Sequence, residues 1–341
     1  MKKIIVTGGA GYIGSHTLIE LIKDSENQVI SIDNYSNSDD DTYKRIQKIT
    51  SRKIEYHPID LCDVEALKKV FSLHDNISGI IHFAAFKSVG ESVDKPLKYY
   101  SNNINSLINI LKVSKEYKVN NFIFSSSCSV YGNTTILPVN ENTPFSKAES
   151  PYASTKQMGE EILENFVKAN PTFQAISLRY FNPAGAHETG LNGELPIGKP
   201  SNLVPAITQF AIGKIEELHV NGVDYNTRDG SCVRDYIHVS DLAEAHVTAL
   251  KKLFDSKNFN YKVYNLGTGN GVTVLEAIKA FEKVAKIKLN YKIGSRRPGD
   301  VVEIYSDNTL VNQDLGWSTK RTIEEIMSSA WKWEQYLKES K

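Results

Sequence analysis

The chain has 341 residues, 40% hydrophobic and 23% charged, with 40 basic residues balancing 40 acidic ones. That length holds one large domain or two joined ones and buries a substantial core, at the proportions of an ordinary globular protein. Zero formal net charge excludes binding driven by a broad basic field. Neither nucleic acid nor an anionic membrane surface is therefore expected as a partner, and an anionic ligand needs a few placed groups.

The start of the chain, "MKKIIVTGGAGYIGSH", has an apolar run of only a few residues before it breaks into glycines. It reads as neither a signal peptide nor a membrane span. "KIIVTGG" predicts a strand, and "IGSHTLIELIKDS" a helix with Ile13, Leu18, Leu21 and Ile22 near one face. "QVISIDN" and "KIEYHPID" follow as strands, then a helix through "DVEALKKVFSLH" and the strand "SGIIHFAA". A helix around "NINSLINILKVSKEY" leads to the strand "NFIFSSS", a helix follows Tyr152, and "QAISLRYFN" is another strand. Such alternation predicts an α/β fold with a doubly wound parallel sheet.

After Asn182 the texture changes. Residues 182–202 are rich in Gly, Pro and Asn and predict irregular structure over a site. "LVPAITQFAIGK" and "VSDLAEAHVTALKKLF" predict helices, and short strands and helices mix in the last third. A domain boundary is expected near residue 180. Cys62, Cys128 and Cys232 are far apart and form no Cys-x-x-Cys pair. They point to a reducing compartment with structural thiols, so a cytoplasmic location is expected, with no disulfide frame and no zinc site. His238 and His246 have no glutamate placed for a zinc motif and read as structural; no metal is expected.

"TGGAGYIG" joins the first strand to the first helix and spaces Gly8, Gly11 and Gly14 three apart. Glycines there permit the tight turn, backbone approach to a pyrophosphate, and close helix–strand packing, while the helix N-terminus offers N–H groups to the anion. A glycine-rich turn without a ligand is the competing explanation. Asp33, at the end of the next strand and 19 residues past Gly14, weighs against it. A carboxylate there accepts hydrogen bonds from ribose hydroxyls and repels a 2′-phosphate. With no arginine after it before Arg45, NAD is expected over NADP. Asp60, after "YHPI", is either a solvated strand-end acid or an adenine contact.

In "SPYASTK", Tyr152 and Lys156 lie four apart and share a helix face. A phenol that ordinarily titrates near ~10 becomes a better base beside an ammonium and a nicotinamide cation. A surface helix with a Tyr/Lys pair is the bland alternative. Ser125, Ser126 and Ser127 end the preceding strand, at the sheet edge where doubly wound folds bind ligands, and a serine there can reach the same oxygen as the phenol.

On the glycine loop, Asp33, the strand-end serine and Tyr152-x-x-x-Lys156, the chain resembles the extended short-chain dehydrogenase/reductase family. Within it, "IHFAAFKSVGESVDKPLKYYSNN", "NFIFSSSCSVYG", "LRYFNPAGAH", "VRDYIHVSDLA", "YNLGTG" and "RRPGD" resemble the branch that epimerises UDP-hexoses at C4. Relatives that eliminate water carry an Asp-Glu pair after the strand-end hydroxyl, and those that decarboxylate carry a glutamate at the second of these positions. Here the two residues are Cys128 and Ser129.

The resemblance implies a Rossmann-type NAD-binding domain over residues 1–180 and a smaller mixed α/β UDP-sugar-binding domain over 181–341, with about 236–270 packing back on the first. It implies Tyr152 as base, Ser127 as its hydrogen-bonding partner, and Lys156 on the nicotinamide ribose. Cofactor contacts are implied from Gly8, Gly11, Tyr12, Ile13, Gly14, Asp33, Asn34, Tyr35, Ser36, Asn37, Ser38, Asp60, Leu61, Phe83, Ala84, Lys87, Asn102, Ser127, Tyr152, Lys156, Tyr180 and Phe181. Asn182, Asn202, Leu203, Arg234, Arg297 and Asp300 are implied for UDP. The implied reaction interconverts UDP-galactose and UDP-glucose through a 4-keto sugar with retained NAD, in a homodimer. Ile304, near the position that admits an N-acetyl group, leaves UDP-N-acetylglucosamine open as a substrate. A net NAD-dependent sugar-nucleotide oxidoreductase and a non-catalytic dinucleotide sensor are the remaining alternatives.

Overall fold

A computed structural model describes residues 1–256, 259–297 and 300–340. Its strands in chain order are β1 (Lys2–Thr7), β2 (Asn27–Ile32), β3 (Glu55–His57), β4 (Ile77–His82), β5 (Asn121–Ser127), β6 (Gln174–Tyr180), β7 (Asn182–Ala184), β8 (His219–Asn221), β9 (Val233–Arg234), β10 (Tyr236–His238), β11 (Tyr261–Leu266), β12 (Val272–Thr273), β13 (Lys292–Gly294) and β14 (Glu303–Ile304). The helices are α1 (Tyr12–Ile22), α2 (Asp41–Thr50), α3 (Val64–Ser72), α4 (Val89–Asp94), α5 (Pro96–Glu116), α6 (Pro151–Ala169), α7 (Leu203–Ala211), α8 (Val239–Asp255), α9 (Val274–Ala285), α10 (Thr309–Leu315) and α11 (Ile323–Glu339). The chain divides into two compact units. The first is Met1–Gly132, Pro144–Tyr180 and Ala243–Tyr264; the second is Asn133–Thr143, Phe181–Leu242 and Asn265–Lys341.

The first unit is built on a seven-stranded sheet in the order β11-β6-β5-β4-β1-β2-β3. Every pairing from β6 to β3 is parallel. Parallel strands are covered on both faces, which is why β1 and β4 read as apolar runs instead of alternating. Ile5, Ile80 and Phe122 of the strands pack with Leu67 and Phe71 of α3, Leu107 and Ile110 of α5 and Leu163 of α6. Leu250 and Phe254 of α8 come so close to Gly79 in β4 that a Cβ there would meet Leu250 at 2.9 Å. The strand order reverses between β1 and β4, and the crevice at the C-terminal ends of these strands is where such sheets bind ligands.

Helix α2 is a difference from the sequence expectation. Its residues "DTYKRIQKIT" are mostly polar and bury only Thr42, Tyr43 and Ile46, so the apolar stripe is too thin to stand out in the sequence. β3 is also shorter than expected, three residues at the edge of the sheet.

The second unit holds the pairs β10–β7 and β13–β8 and the three-stranded order β12-β9-β14. Ile207 of α7, Phe281 of α9 and Ile326 and Met327 of α11 form its apolar core. No helix among the described residues is long and apolar enough to cross a membrane. Cys62, Cys128 and Cys232 are all free thiols.

Candidate active site

The glycine loop leaves β1 and enters α1 at the sheet's C-terminal edge. Gly8 sits at φ +71°, and a Cβ there would lie 2.8 Å from the Ala84 nitrogen. A Cβ at Gly14 would lie 2.2 Å from the Gly8 carbonyl oxygen. Side chains are thus excluded twice, once by backbone conformation and once by close approach of the helix to the loop. Gly11 caps α1 without a side-chain hydrogen bond, so the first-turn N–H groups are left for an acceptor outside the helix. This arrangement fits a pyrophosphate.

Asp33 organises the next turn. Its carboxylate accepts from the Ala10 amide at 3.0 Å, the Tyr35 amide at 2.9 Å and the Ser38 hydroxyl at 3.0 Å. Burial raises its pKa above the usual carboxylate value, and these donors pull it back. Residues 33–38 wrap the acid, with Ser36 donating from its amide to Asn34 Oδ1 at 3.0 Å. Asn34 Nδ2 in turn donates to Asp60 Oδ2 at 3.1 Å, which draws the ends of β2 and β3 together. The structure therefore sets Asp33 next to the Asn34–Asp60 pair, which fits an adenosine ribose. Lys87 lies 6.0 Å from the Tyr12 ring centroid, and Asn102 donates to its neighbour Asn103 at 3.0 Å.

The catalytic candidates stand at the end of β5 and the start of α6. Ser150 accepts from the Ala153 amide at 3.2 Å, and Pro151 opens the first turn. That cap places Tyr152 at the second helical position and Lys156 one turn on. Ser127 stands beside Tyr152, and its hydroxyl favours the phenolate. The Ser127 hydroxyl accepts from the Ser129 amide at 3.2 Å. Ser129 Oγ is buried without a hydrogen-bond partner among the described residues, a polar contact open to a ligand hydroxyl or water.

Lys156 is buried, 5% exposed, and its ammonium donates to the Ser125 carbonyl at 2.6 Å and hydroxyl at 3.3 Å. Its nitrogen lies 5.8 Å from the Tyr152 ring centroid. Burial lowers the Lys156 pKa to about 8 and raises that of Tyr152 to about 12. The expected lowering of the phenol pKa by the lysine is thus not what the protein alone produces: desolvation outweighs it, and the ammonium spends its hydrogen bonds on Ser125.

Several supporting residues escaped the sequence reading. Glu160 and Arg179 form a buried ion pair at 2.7 Å, Ser126 donates to Glu160, and Arg179 donates to the Tyr131 hydroxyl at 2.9 Å. Asn103 ties the chain after β4 to α6, accepting from the Phe86 amide at 2.8 Å and donating to Thr155 at 3.1 Å. His246 is buried with Nε2 3.1 Å from the Tyr180 hydroxyl, and His238 is buried with Nε2 3.1 Å from Ser329 Oγ.

In the second unit, Asp300 meets both predicted arginines. Arg297 donates to it at 2.8 Å, and an Arg234 nitrogen lies 3.8 Å from it. Asn202 caps α7 just before Leu203 and donates to Glu194 at 2.7 Å, away from that cluster's hydrogen bonds. Asn182 donates its amide to the Asp235 carbonyl at 2.9 Å. The Asp235 carboxylate accepts from Thr268, Gly269 and Ser306, and so locks the "YNLGTG" loop behind Arg234. Ile304 is buried and is the register partner of Arg234 across β14 and β9.

Residues 5–330 match the family described as GDP-mannose 4,6 dehydratase. A UDP-glucose 4-epimerase from Erwinia amylovora is 48% identical over 331 residues, 97% of each chain. The chain belongs to the UDP-glucose 4-epimerase family. Cys128 and Ser129, where a dehydratase carries its acids, agree with that placement inside the broader dehydratase-named family. A Bifidobacterium longum UDP-glucose 4-epimerase solved with NAD+ and UDP superposes with a TM-score of 0.93 at 44% identity, covering 98% of each chain. One from Stenotrophomonas maltophila, solved with NAD and formylated UDP-arabinopyranose, superposes at 0.96 with 40% identity over 100% of both chains. The names of these relatives are those of isomerases and favour neither the net oxidoreductase nor the non-catalytic sensor.

Proposed function

We propose that the protein interconverts UDP-galactose and UDP-glucose with NAD retained through the cycle. The observation that carries this reading is the Ser127 hydroxyl beside the Tyr152 phenol, followed in the chain by Cys128 and Ser129 instead of carboxylic acids. Those side chains can move one proton but cannot supply the acid for dehydration or decarboxylation. When bound, NAD accepts a hydride from the sugar C4 and returns it.

The first unit is the NAD-binding domain in this proposal. The α1 N-terminus and its glycines hold the pyrophosphate, Asp33 the adenosine ribose hydroxyls, and Asn34 through Ser38, Asp60 and Leu61 the adenosine surroundings. Phe83, Ala84, Lys87, Asn102, Tyr180 and Phe181 contribute further contacts. Tyr152 takes the proton of the 4-hydroxyl as a phenolate, with Ser127 donating a hydrogen bond to it. Lys156, fixed by Ser125, binds the nicotinamide ribose. In the second unit, Arg234 and Arg297 hold the diphosphate while the 4-keto sugar turns its other face, with Asn182, Asn202, Leu203 and Asp300 around the nucleotide. Guanidinium groups suit this role because they bind phosphate oxygens in a planar fork. Tyr152 then returns the proton.

The protein acts in galactose metabolism in the cytoplasm as a homodimer in this proposal. Val89, Val93 and Leu97 are exposed apolar side chains on α4 and the start of α5, Leu97 at 79%, and support a covered surface in solution. The relatives do not favour the N-acetylated alternative left open by Ile304. The test is purified protein given UDP-galactose with no added cofactor. UDP-glucose formed without net NADH is expected; stoichiometric NADH release, or no turnover even with NAD supplied, defeats the proposal.

A further inference from the structure

Among the described residues, one group of metal-ligating side chains converges outside the site above: Glu55, His57 and His74. Glu55 and His57 are two apart on β3, so they project from the same face of the strand. His74 follows the end of α3, in the turn that leads to β4. Glu55 Oε1 lies 3.4 Å from His57 Nε2 and 3.3 Å from His74 Nε2, and the two ring nitrogens are 3.4 Å apart. The three donors form a nearly equilateral triangle.

That size is informative. Zinc binds imidazole nitrogen and carboxylate oxygen at about 2.0–2.2 Å with tetrahedral geometry, which sets neighbouring ligand atoms about 3.3–3.5 Å apart. The ring planes are inclined at 72°, so the imidazoles do not stack, and they approach each other through their Nε2 atoms. A hydrogen bond between the rings would be long, at 3.4 Å, and two neutral imidazoles both presenting lone pairs would repel. His74 is buried, His57 half-buried and Glu55 exposed, so the triangle has a rigid base and an open mouth.

We propose that Glu55, His57 and His74 form a divalent transition-metal site, for zinc or a metal of like ligand preference, with water as the fourth ligand. Two imidazoles select against magnesium and calcium, which prefer oxygen ligands. The site bridges the edge strand β3 and the exit of α3, so it is a structural clamp. His57 also accepts the Asp33 amide on its carbonyl at 3.2 Å, so the clamp braces the strand beside the dinucleotide-binding acid. It does not depend on the proposed reaction.

The test uses tag-free full-length protein, stripped with a chelator and titrated with Co2+. One Co2+ per chain with the intense visible absorption of tetrahedral cobalt is expected, displaced by Zn2+ and accompanied by a higher melting temperature. His57→Ala and Glu55→Gln change partly or fully exposed side chains, and each is expected to weaken binding at least tenfold with an unchanged far-UV circular dichroism spectrum. Absence of saturable one-to-one binding, or binding equally tight in both variants, overturns the site. The variants also separate it from chance binding at the exposed Cys62 thiol.

Discussion

The Lys156 ammonium donates to the Ser125 carbonyl oxygen at 2.6 Å, and this bond, together with burial, sets the electrostatics of the catalytic corner. A buried cation needs fixed acceptors, and the last residues of β5 provide them. The Ser127 hydroxyl beside Tyr152 favours its phenolate, against the cost of burial.

Replacing Tyr152 by Phe is expected to lower turnover of UDP-galactose by roughly a thousandfold, the scale of a lost acid–base group. The cap at Ser150 and the helix face are unchanged, so the far-UV circular dichroism spectrum should stay near wild type. A variant with full turnover would remove the proton-transfer role.

The Lys156 pKa yields a stability prediction for dinucleotide-free protein. Its folded value, about 8, lies below the ordinary 10.5. Between these values the unfolded chain holds a proton that the folded chain lacks, so stability rises with pH. Relative to Lys156→Met, urea unfolding of the wild type should gain about 2 kcal/mol from pH 7 to pH 10. A flat difference would show that the lysine is not desolvated.

Asp33→Ala is expected to weaken NAD binding by about 10- to 100-fold, the range of one or two charge-assisted hydrogen bonds. The preference over NADP should narrow, since the repelling carboxylate is gone. Calorimetric titration with both dinucleotides measures this, and an unchanged NAD/NADP ratio counts against the assignment.

Arg297→Ala should raise KM for the UDP sugar by about tenfold or more, with a smaller effect on kcat, because the diphosphate is held equally in ground and transition states. Steady-state kinetics separate the two; a loss confined to kcat would place Arg297 elsewhere in the cycle.

The Glu160–Arg179 pair is a structural prediction. Glu160→Gln or Arg179→Met alone strands a buried charge and should cost about 3–5 kcal/mol in urea unfolding. The double variant should cost less than the sum of the two. Strict additivity would mean the pair is not coupled.

What could be read in the sequence was local in the chain. The glycine loop carries its own turn and helix start, Asp33 ends the strand that follows, and Tyr152 and Lys156 share a face through helical spacing alone. Ser127 was legible because β5 ends on it. Each is set by backbone geometry over a few residues. What only tertiary structure decided involves partners far apart in the chain. Glu160 meets Arg179 across 19 positions, and Asp235 gathers donors from Thr268, Gly269 and Ser306. Glu55, His57 and His74 close a triangle that spacing alone does not reveal. The Tyr152 and Lys156 pKa values belong to the same class. The sequence placed an ammonium near a phenol, but burial, which depends on the whole packed unit, determines which protonation state the protein favours.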